Sequence, residues 1–142
     1  HRVDRRQRQM CIRDRASLAP GEAALTVEAF TRRPHVLVSS GGFIGVVDEV
    51  LHGMGQTRRV LAATTHFAAL PFLMQGSDAL ATLPAHAARG LAAVTGLRLL
   101  PCPIAMPGYA IEMGWRADAL RDEAVAAARR CLLGLLQGYR WE

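Results

Sequence analysis

Two short stretches carry the side-chain types that hold small molecules. Ser39-Ser40-Gly41-Gly42-Phe43 follows a β-branched apolar run and precedes an amphipathic pattern, so it joins a strand to a helix N-terminus. Its glycines allow close backbone approach, its hydroxyls can hydrogen-bond, and the helix end favours an anion. An ordinary turn fits the same residues equally well. The GGxxG spacing differs from the GxGxxG dinucleotide fingerprint, and no acidic residue stands at the ribose-binding distance. The second stretch, Thr64-Thr65-His66-Phe67, also opens a helical pattern, with His66 either a ligand contact or a capping residue. Leu83-Pro84-Ala85, a third loop of the same kind, reads as structural.

Catalytic and metal chemistry find less support. Ser39 or Ser40 with His66 and Asp78 would supply triad residue types, but the GxSxG elbow is missing. His35, His52, His66 and His86 show neither HxxxH nor HExxH spacing, which argues against a metal site. Asp48-Glu49 falls on the polar side of a helix, where a solvated face is the usual explanation. Cys11, Cys102 and Cys131 are an odd number without CxxC spacing, which disfavours a disulfide framework or zinc site and fits a reducing cytosol. Cys102, between prolines and without a basic neighbour in sequence, reads as inert, and Cys131 as core. The expectation is a binding protein with no cofactor and no enzymatic activity.

The elements that position these loops follow from periodicity. Leu25–Phe30 reads as a helical turn, and His35–Ser39 as a buried strand. Val47, Val50, Leu51 and Met54 at i, i+3, i+4 and i+7 mark a helix stopped by Gly55. Arg58–Thr64 is a second strand, Phe67–Met74 a short helix ending at Gly76, and Ala79–Leu83 a third strand. Pro84 suits the first turn of a helix running to Thr95, with Gly96 as its C-terminal cap. Leu97–Leu100 is a fourth strand. Pro101, Pro103 and Pro107 then favour an extended crossing segment. Tyr109–Trp115 follows as a strand with Tyr109, Ile111, Met113 and Trp115 on one face. A last helix from about Ala119 carries Leu120, Ala124, Ala127, Cys131 and Leu135 along one stripe. Alternating strands and helices imply an α/β fold with parallel pairing and right-handed crossovers.

Charge points the same way once it is placed along the chain. The net charge is +5 and all 17 basic residues are arginine. Residues 1–15 hold six arginines against two acids, whereas the remaining 127 hold eleven arginines against ten acids. The body is therefore near neutral, with no basic stripe to neutralise phosphates. Residues 1–15 show no helical or strand period, and QRQMCIRDR resembles non-native sequence translated from assembly artefacts, so residues 1–17 are left unassigned. The longest apolar stretch, Val60–Met74, is interrupted by Thr64, Thr65, His66 and Pro71 and too short to span a bilayer.

The order of motifs carries more than any one of them. Leu25-Thr-Val-Glu-Ala-Phe-Thr-Arg-Arg-Pro-His-Val-Leu-Val-Ser39, then Phe43–Val60, Thr65-His-Phe-Ala-Ala-Leu-Pro71 and Asp78-Ala-Leu-Ala-Thr-Leu-Pro84 closely resemble the effector-binding domain of LysR-type transcriptional regulators. Leu97-Arg-Leu-Leu-Pro101 and Trp115 continue the pattern, so the resemblance covers about residues 24 to 136.

That resemblance implies part of a two-lobed, type II periplasmic-binding-protein-like domain with a mixed, mostly parallel sheet flanked by helices. Residues 18–100 would be most of the second lobe, 101–108 the crossing, and 109–142 a strand and helix returning to the first lobe. The pocket would lie between lobes, with Ser39, Ser40, Gly41, Phe43, Thr65, His66, Phe67 and Tyr109 as its ligand-binding residues here. The implied ligand is a small organic molecule, and two helix N-termini at the cleft point to an anion. The implied parent is a cytoplasmic homo-oligomer, a dimer or tetramer, that binds DNA through an N-terminal helix-turn-helix not present in this chain, with no membrane partner. A fragment of a periplasmic solute-binding protein of the same fold is the alternative. Lacking its native partners, the returning segment should expose apolar surface.

Overall fold

The computed structural model describes residues 9–14, 24–108 and 113–138, which fall into two compact units, one of residues 9–14 and 24–108 and one of residues 113–138. The first unit is built on a five-stranded sheet of order β3-β2-β4-β1-β5. Its strands are β1 (Gln9–Asp14), β2 (Pro34–Val38), β3 (Arg59–Thr64), β4 (Leu80–Pro84) and β5 (Leu97–Pro101). Strand β2 pairs in parallel with both β3 and β4, while β1 runs antiparallel between β4 and β5.

Helices cover both faces. Phe30 of α1 (Val27–Arg32) and Val47 and Leu51 of α2 (Val46–Gly53) pack with Cys11, Leu80 and Leu100 on one side. Leu70 and Met74 of α3 (Leu70–Met74) and Ala88 of α4 (Ala85–Val94) pack with Ile12, Val36, Ala81 and Leu83 on the other. Successive strand residues serve opposite faces, so Cys11 and Ile12, or Leu80 and Ala81, enter different layers.

Local signals set the ends of these elements. Thr26 caps α1 by accepting from the Ala29 amide at 3.1 Å. Helix α2 stops in a Schellman arrangement: Gln56 N donates to Leu51 O (2.8 Å) and Gly55 N to His52 O (3.0 Å). Gly55 sits at φ +67°, where a side chain would be strained. Gly96 is not in that region, contrary to its expected role as the α4 cap. Thr95 closes the helix instead, its hydroxyl donating to Leu91 O (2.7 Å) and accepting from the Leu97 amide (3.3 Å).

Strand β1 is the largest departure from the sequence reading, which finds no strand period in residues 1–15. Cys11 and Ile12 are fully buried, and the backbone of Gln9–Asp14 is paired on both sides. Three consecutive apolar residues, Met10, Cys11 and Ile12, in a six-residue strand give no alternation to read; the pairing is supplied by β4 and β5, more than 60 positions away.

In the second unit, a 3-10 turn (Ala117–Arg121) leads into α5 (Glu123–Gly138). The helix starts at Glu123 and not near Ala119, because Asp122 Oδ1 accepts from the amides of Ala124 (2.8 Å) and Val125 (3.4 Å). Met113–Trp115, expected in a strand, has no strand pairing, and the rest of that expected strand, Tyr109 included, lies outside the described residues. Trp115 instead lies beneath the Arg129 guanidinium, 4.4 Å from the ring centroid. Cys131, expected in a core, is exposed, as is Leu135 at 71%. Apolar periodicity marks the face of a helix that wants covering, and among the described residues Leu132 and Leu135 of that face remain exposed.

Candidate functional site

Parallel pairing of β2 and β3 puts their carboxyl ends side by side, and the pairing continues one step further as Ser39 N donates to Thr64 O (2.9 Å). The loops leaving the two strands therefore start from adjacent points. Between them lies a recess of about 470 Å³ lined by Ser39, Ser40, Gly42, Phe43, Ala63, Thr64 and Thr65. Loops beyond the carboxyl ends of strands are where open α/β sheets bind ligands.

Each loop is shaped by its own short bonds. Ser39 Oγ accepts from Gly41 N (3.1 Å), and Gly42 takes φ +97°, open to glycine and costly to other residues. Thr64 Oγ1 accepts from His66 N (3.3 Å). Gly41 sits on the loop but not on the recess wall. His66 and Phe67 lie just beyond the wall on the second loop, and the His66 side chain makes no cap bond to the 3-10 turn it precedes. Of the expected ligand residues, Ser39, Ser40, Phe43 and Thr65 thus meet at one recess, and Tyr109 lies outside the described residues. Ala63 is an addition. It carries no chemical signal in the sequence, and only the side-by-side placement of the strands reveals it.

The α2 N-terminus is less open to an external anion than its sequence suggests, because Asp48 already serves it. Gly45 N donates to Asp48 Oδ2 (2.7 Å), so part of the positive end of the helix faces an internal carboxylate. The sequence pattern puts Asp48-Glu49 on a solvated face, and for Asp48 that expectation fails. Arg58 donates from Nε to Asp48 Oδ1 (2.8 Å) and from Nη2 to Oδ2 (2.8 Å), with its side chain only 1% exposed. The fork holds the Asp48 carboxyl below its ordinary pKa, with burial opposing. Arg58 Nη1 also reaches His35 Nδ1 (3.3 Å), and His35 Nε2 bonds Phe30 O (2.8 Å). Arg58 can only donate and Phe30 O can only accept, so His35 is the neutral tautomer with its proton on Nε2. A second recess, of about 570 Å³, is bordered by Phe43, Ile44, Glu49, His52 and Arg58.

Cys102 is not the inert residue that its sequence neighbours imply. It lies beside Cys11 and near Arg58; the Cys11 thiol, the Ile104 amide and the Arg58 charge lower its pKa against the cost of burial. Cys11 moves the opposite way, raised by the Cys102 partnership and by burial. Iodoacetamide should therefore modify Cys102 in the folded chain at a lower pH than an ordinary thiol and leave Cys11 protected until unfolding. Mass mapping against a Cys102→Ser control checks this, and labelling of Cys11 ahead of Cys102 would contradict it.

Among the described residues, the serine triad considered from the sequence is not assembled. Ser39 Oγ is engaged by Gly41, and neither Ser39 nor Ser40 hydrogen-bonds a histidine among the described residues. Among those residues there is also no group of three or more side chains able to hold a metal, and no helix long and apolar enough to cross a membrane.

Comparison with known proteins agrees with this architecture. The family model described as "LysR substrate binding domain" matches residues 1–137. The HTH-type transcriptional activator NahR of Pseudomonas putida is 34% identical over 112 residues, 78% of this chain and 37% of that protein. The regulatory domain of MexT, a transcriptional activator in Pseudomonas aeruginosa, superposes with TM-score 0.77 at 37% identity, over 89% of this chain and 62% of that one. The BenM effector-binding domain, solved with its effector benzoate, gives TM-score 0.55 at 15% identity over 96% of this chain and 64% of that one, a likeness of fold alone. The chain thus spans roughly a third of NahR and under two thirds of the MexT domain.

Proposed function

Because the chain belongs to the LysR substrate binding domain family, we propose that it is the ligand-sensing part of a LysR-type DNA-binding transcription regulator. The observation that carries this reading is the placement of Ser39, Ser40, Thr64 and Thr65 around one recess at the carboxyl ends of two parallel strands. The ligand fitting that wall is a small organic molecule, and an organic anion is the class that most rewards hydroxyl and amide donors. The amides of Gly42 and Phe43 support it, since neither makes a hydrogen bond among the described residues. In the parent protein the recess would be one side of an interlobe cleft. A DNA-binding domain elsewhere in that parent, homo-oligomer assembly and a cytoplasmic location complete the proposal. The solute-binding-protein alternative gains no support from relatives that are transcriptional activators.

Benzoate, the effector printed for a protein of this fold, is a suitable first probe. Titration by calorimetry should detect saturable binding, and Ser39→Ala or Thr65→Ala should weaken it about 10-fold, the cost of one hydrogen bond to a charged group. His66→Ala, beyond the recess wall, should have the smaller effect. In the intact regulator, Ser39→Ala should alter effector response and leave basal DNA affinity nearly unchanged. Wild-type affinity in all of these variants would remove the recess from consideration.

A further inference from the structure

The loop that bears Ser39, Ser40 and Phe43 has no ladder partner between Ser40 and Ile44, and all of Ser40–Ile44 is exposed. Such a loop presents one geometry to a ligand only if both its ends are held. Its first end is fixed by the sheet, through Ser39 N on Thr64 O. The other end, Gly45, has no strand to join. Its amide is held by Asp48 Oδ2 at 2.7 Å, and both oxygens of that carboxylate are held in turn by the Arg58 fork at 2.8 Å. Arg58 is itself anchored from behind by His35, which is fully buried and bonded to Phe30 O. Gly45 also lies so close to β2 that a Cβ there would meet Leu37 Cδ1 at 3.2 Å.

We propose that Arg58 is a positioning residue for the ligand loop: it fixes Asp48, and through Asp48 it fixes Gly45 and the closing end of the Ser39–Gly45 loop. Arg58 does not line the 470 Å³ recess, so it acts through the loop and not on the ligand. A fork that holds both carboxylate oxygens sets the direction of the carboxylate as well as its place, which a single ammonium does not. The chain of bonds also runs from the α1–β2 junction through the start of β3 to the α2 N-terminus. One residue thereby ties the loop to three separate elements. This proposal deepens the recess reading and rests on it for its functional half.

Hydrogen–deuterium exchange of the whole chain tests the positioning directly and without ligand. Arg58→Lys, which keeps the charge and loses the fork, should speed exchange of the Gly45 amide at least 10-fold and leave the β4 amides Leu80–Leu83 at the wild-type rate. Arg58→Gln should extend the effect, and Asp48→Asn, which retains an acceptor for Gly45, should produce a smaller one. A loss of general stability would instead raise β4 exchange in parallel, and that result, or an unchanged Gly45 rate, overturns the proposal. The binding half is read with benzoate: Arg58→Lys should weaken it several-fold, and undiminished affinity alongside a released loop also overturns the proposal. If wild-type chain fails to bind any carboxylate probe, the recess reading fails, and the exchange pattern still decides the positioning role.

Discussion

A chain shortened to begin at Ala16 should lose the cooperative unfolding transition of the sheet unit. Strand β1 has neighbours on both sides, so its removal unpairs the facing edges of β4 and β5 together. It also takes the fully buried Ile12 from one apolar layer and Cys11 from the other. Each large apolar side chain contributes about 1.5–3 kcal/mol through burial, and the unfilled slot adds a cavity cost in both layers. Stripped of the strand, Leu80, Leu83, Leu97 and Leu100 would meet water. The sum is on the order of the 5–15 kcal/mol that holds a domain of this size together. Urea unfolding followed by circular dichroism should show a broad, non-cooperative change in the truncated chain. The single variant Ile12→Ala should retain a transition and lose about 2–4 kcal/mol. A truncated chain with the wild-type midpoint would show that residues 1–15 contribute nothing to the fold in solution.

Acid should destabilise the same unit well above the pH at which its carboxylates titrate. Burial, seconded by the Arg58 charge, lowers the His35 pKa from 6.5 to about 4, with the Phe30 carbonyl and Asp48 opposing. In the unfolded chain His35 takes up a proton as pH falls through 6.5, whereas the native chain resists until about 4. The stability held by neutral His35 is therefore complete above 6.5 and is lost progressively from there down to about 4. A displacement of this size corresponds to about 3 kcal/mol over the whole interval. His86, lowered mainly by burial, adds a smaller loss of the same sign. Comparison of His35→Gln with wild type isolates the larger effect, because everything else titrates in both proteins. The variant should be less stable at pH 7.5 and show a flatter decline toward pH 4.5. Parallel curves for the two proteins would mean that folding leaves the His35 pKa unshifted, against the burial that lowers it here.

Both predictions rest on residues whose importance the sequence hides, and the reason is distance along the chain. The strands and helices from Val27 to Pro101 are legible because each carries its signal locally. Pro34–Val38 is β-branched and apolar, α2 repeats Val47 and Leu51 on one face, and Gly55 must stand where φ is positive. The loop Ser39–Phe43 is legible for the same reason, since hydroxyls and glycines between a strand and a helix form a local pattern. His35 in its sequence reads only as a strand residue, and Arg58 only as the start of another strand. Their meaning comes from each other across 23 positions and from Asp48 across ten. Cys102 gains its acidity from Cys11, 91 positions away, and no flanking residue announces it.

The α/β alternation, the α2 stop, the family resemblance and the two loops that carry the donors can all be read along the chain. Each depends on contacts between near neighbours or on order along the chain. Folding alone brings β1 into the sheet, sets Ala63 in the recess wall while leaving His66 and Phe67 outside it, and turns Asp48 onto the α2 N-terminus. It also leaves the apolar stripe of α5 exposed, since periodicity specifies which face should be covered and never what covers it. The donors were visible in the chain; their arrangement around a recess, and the buried arginine that holds their loop, exist only once the strands lie side by side.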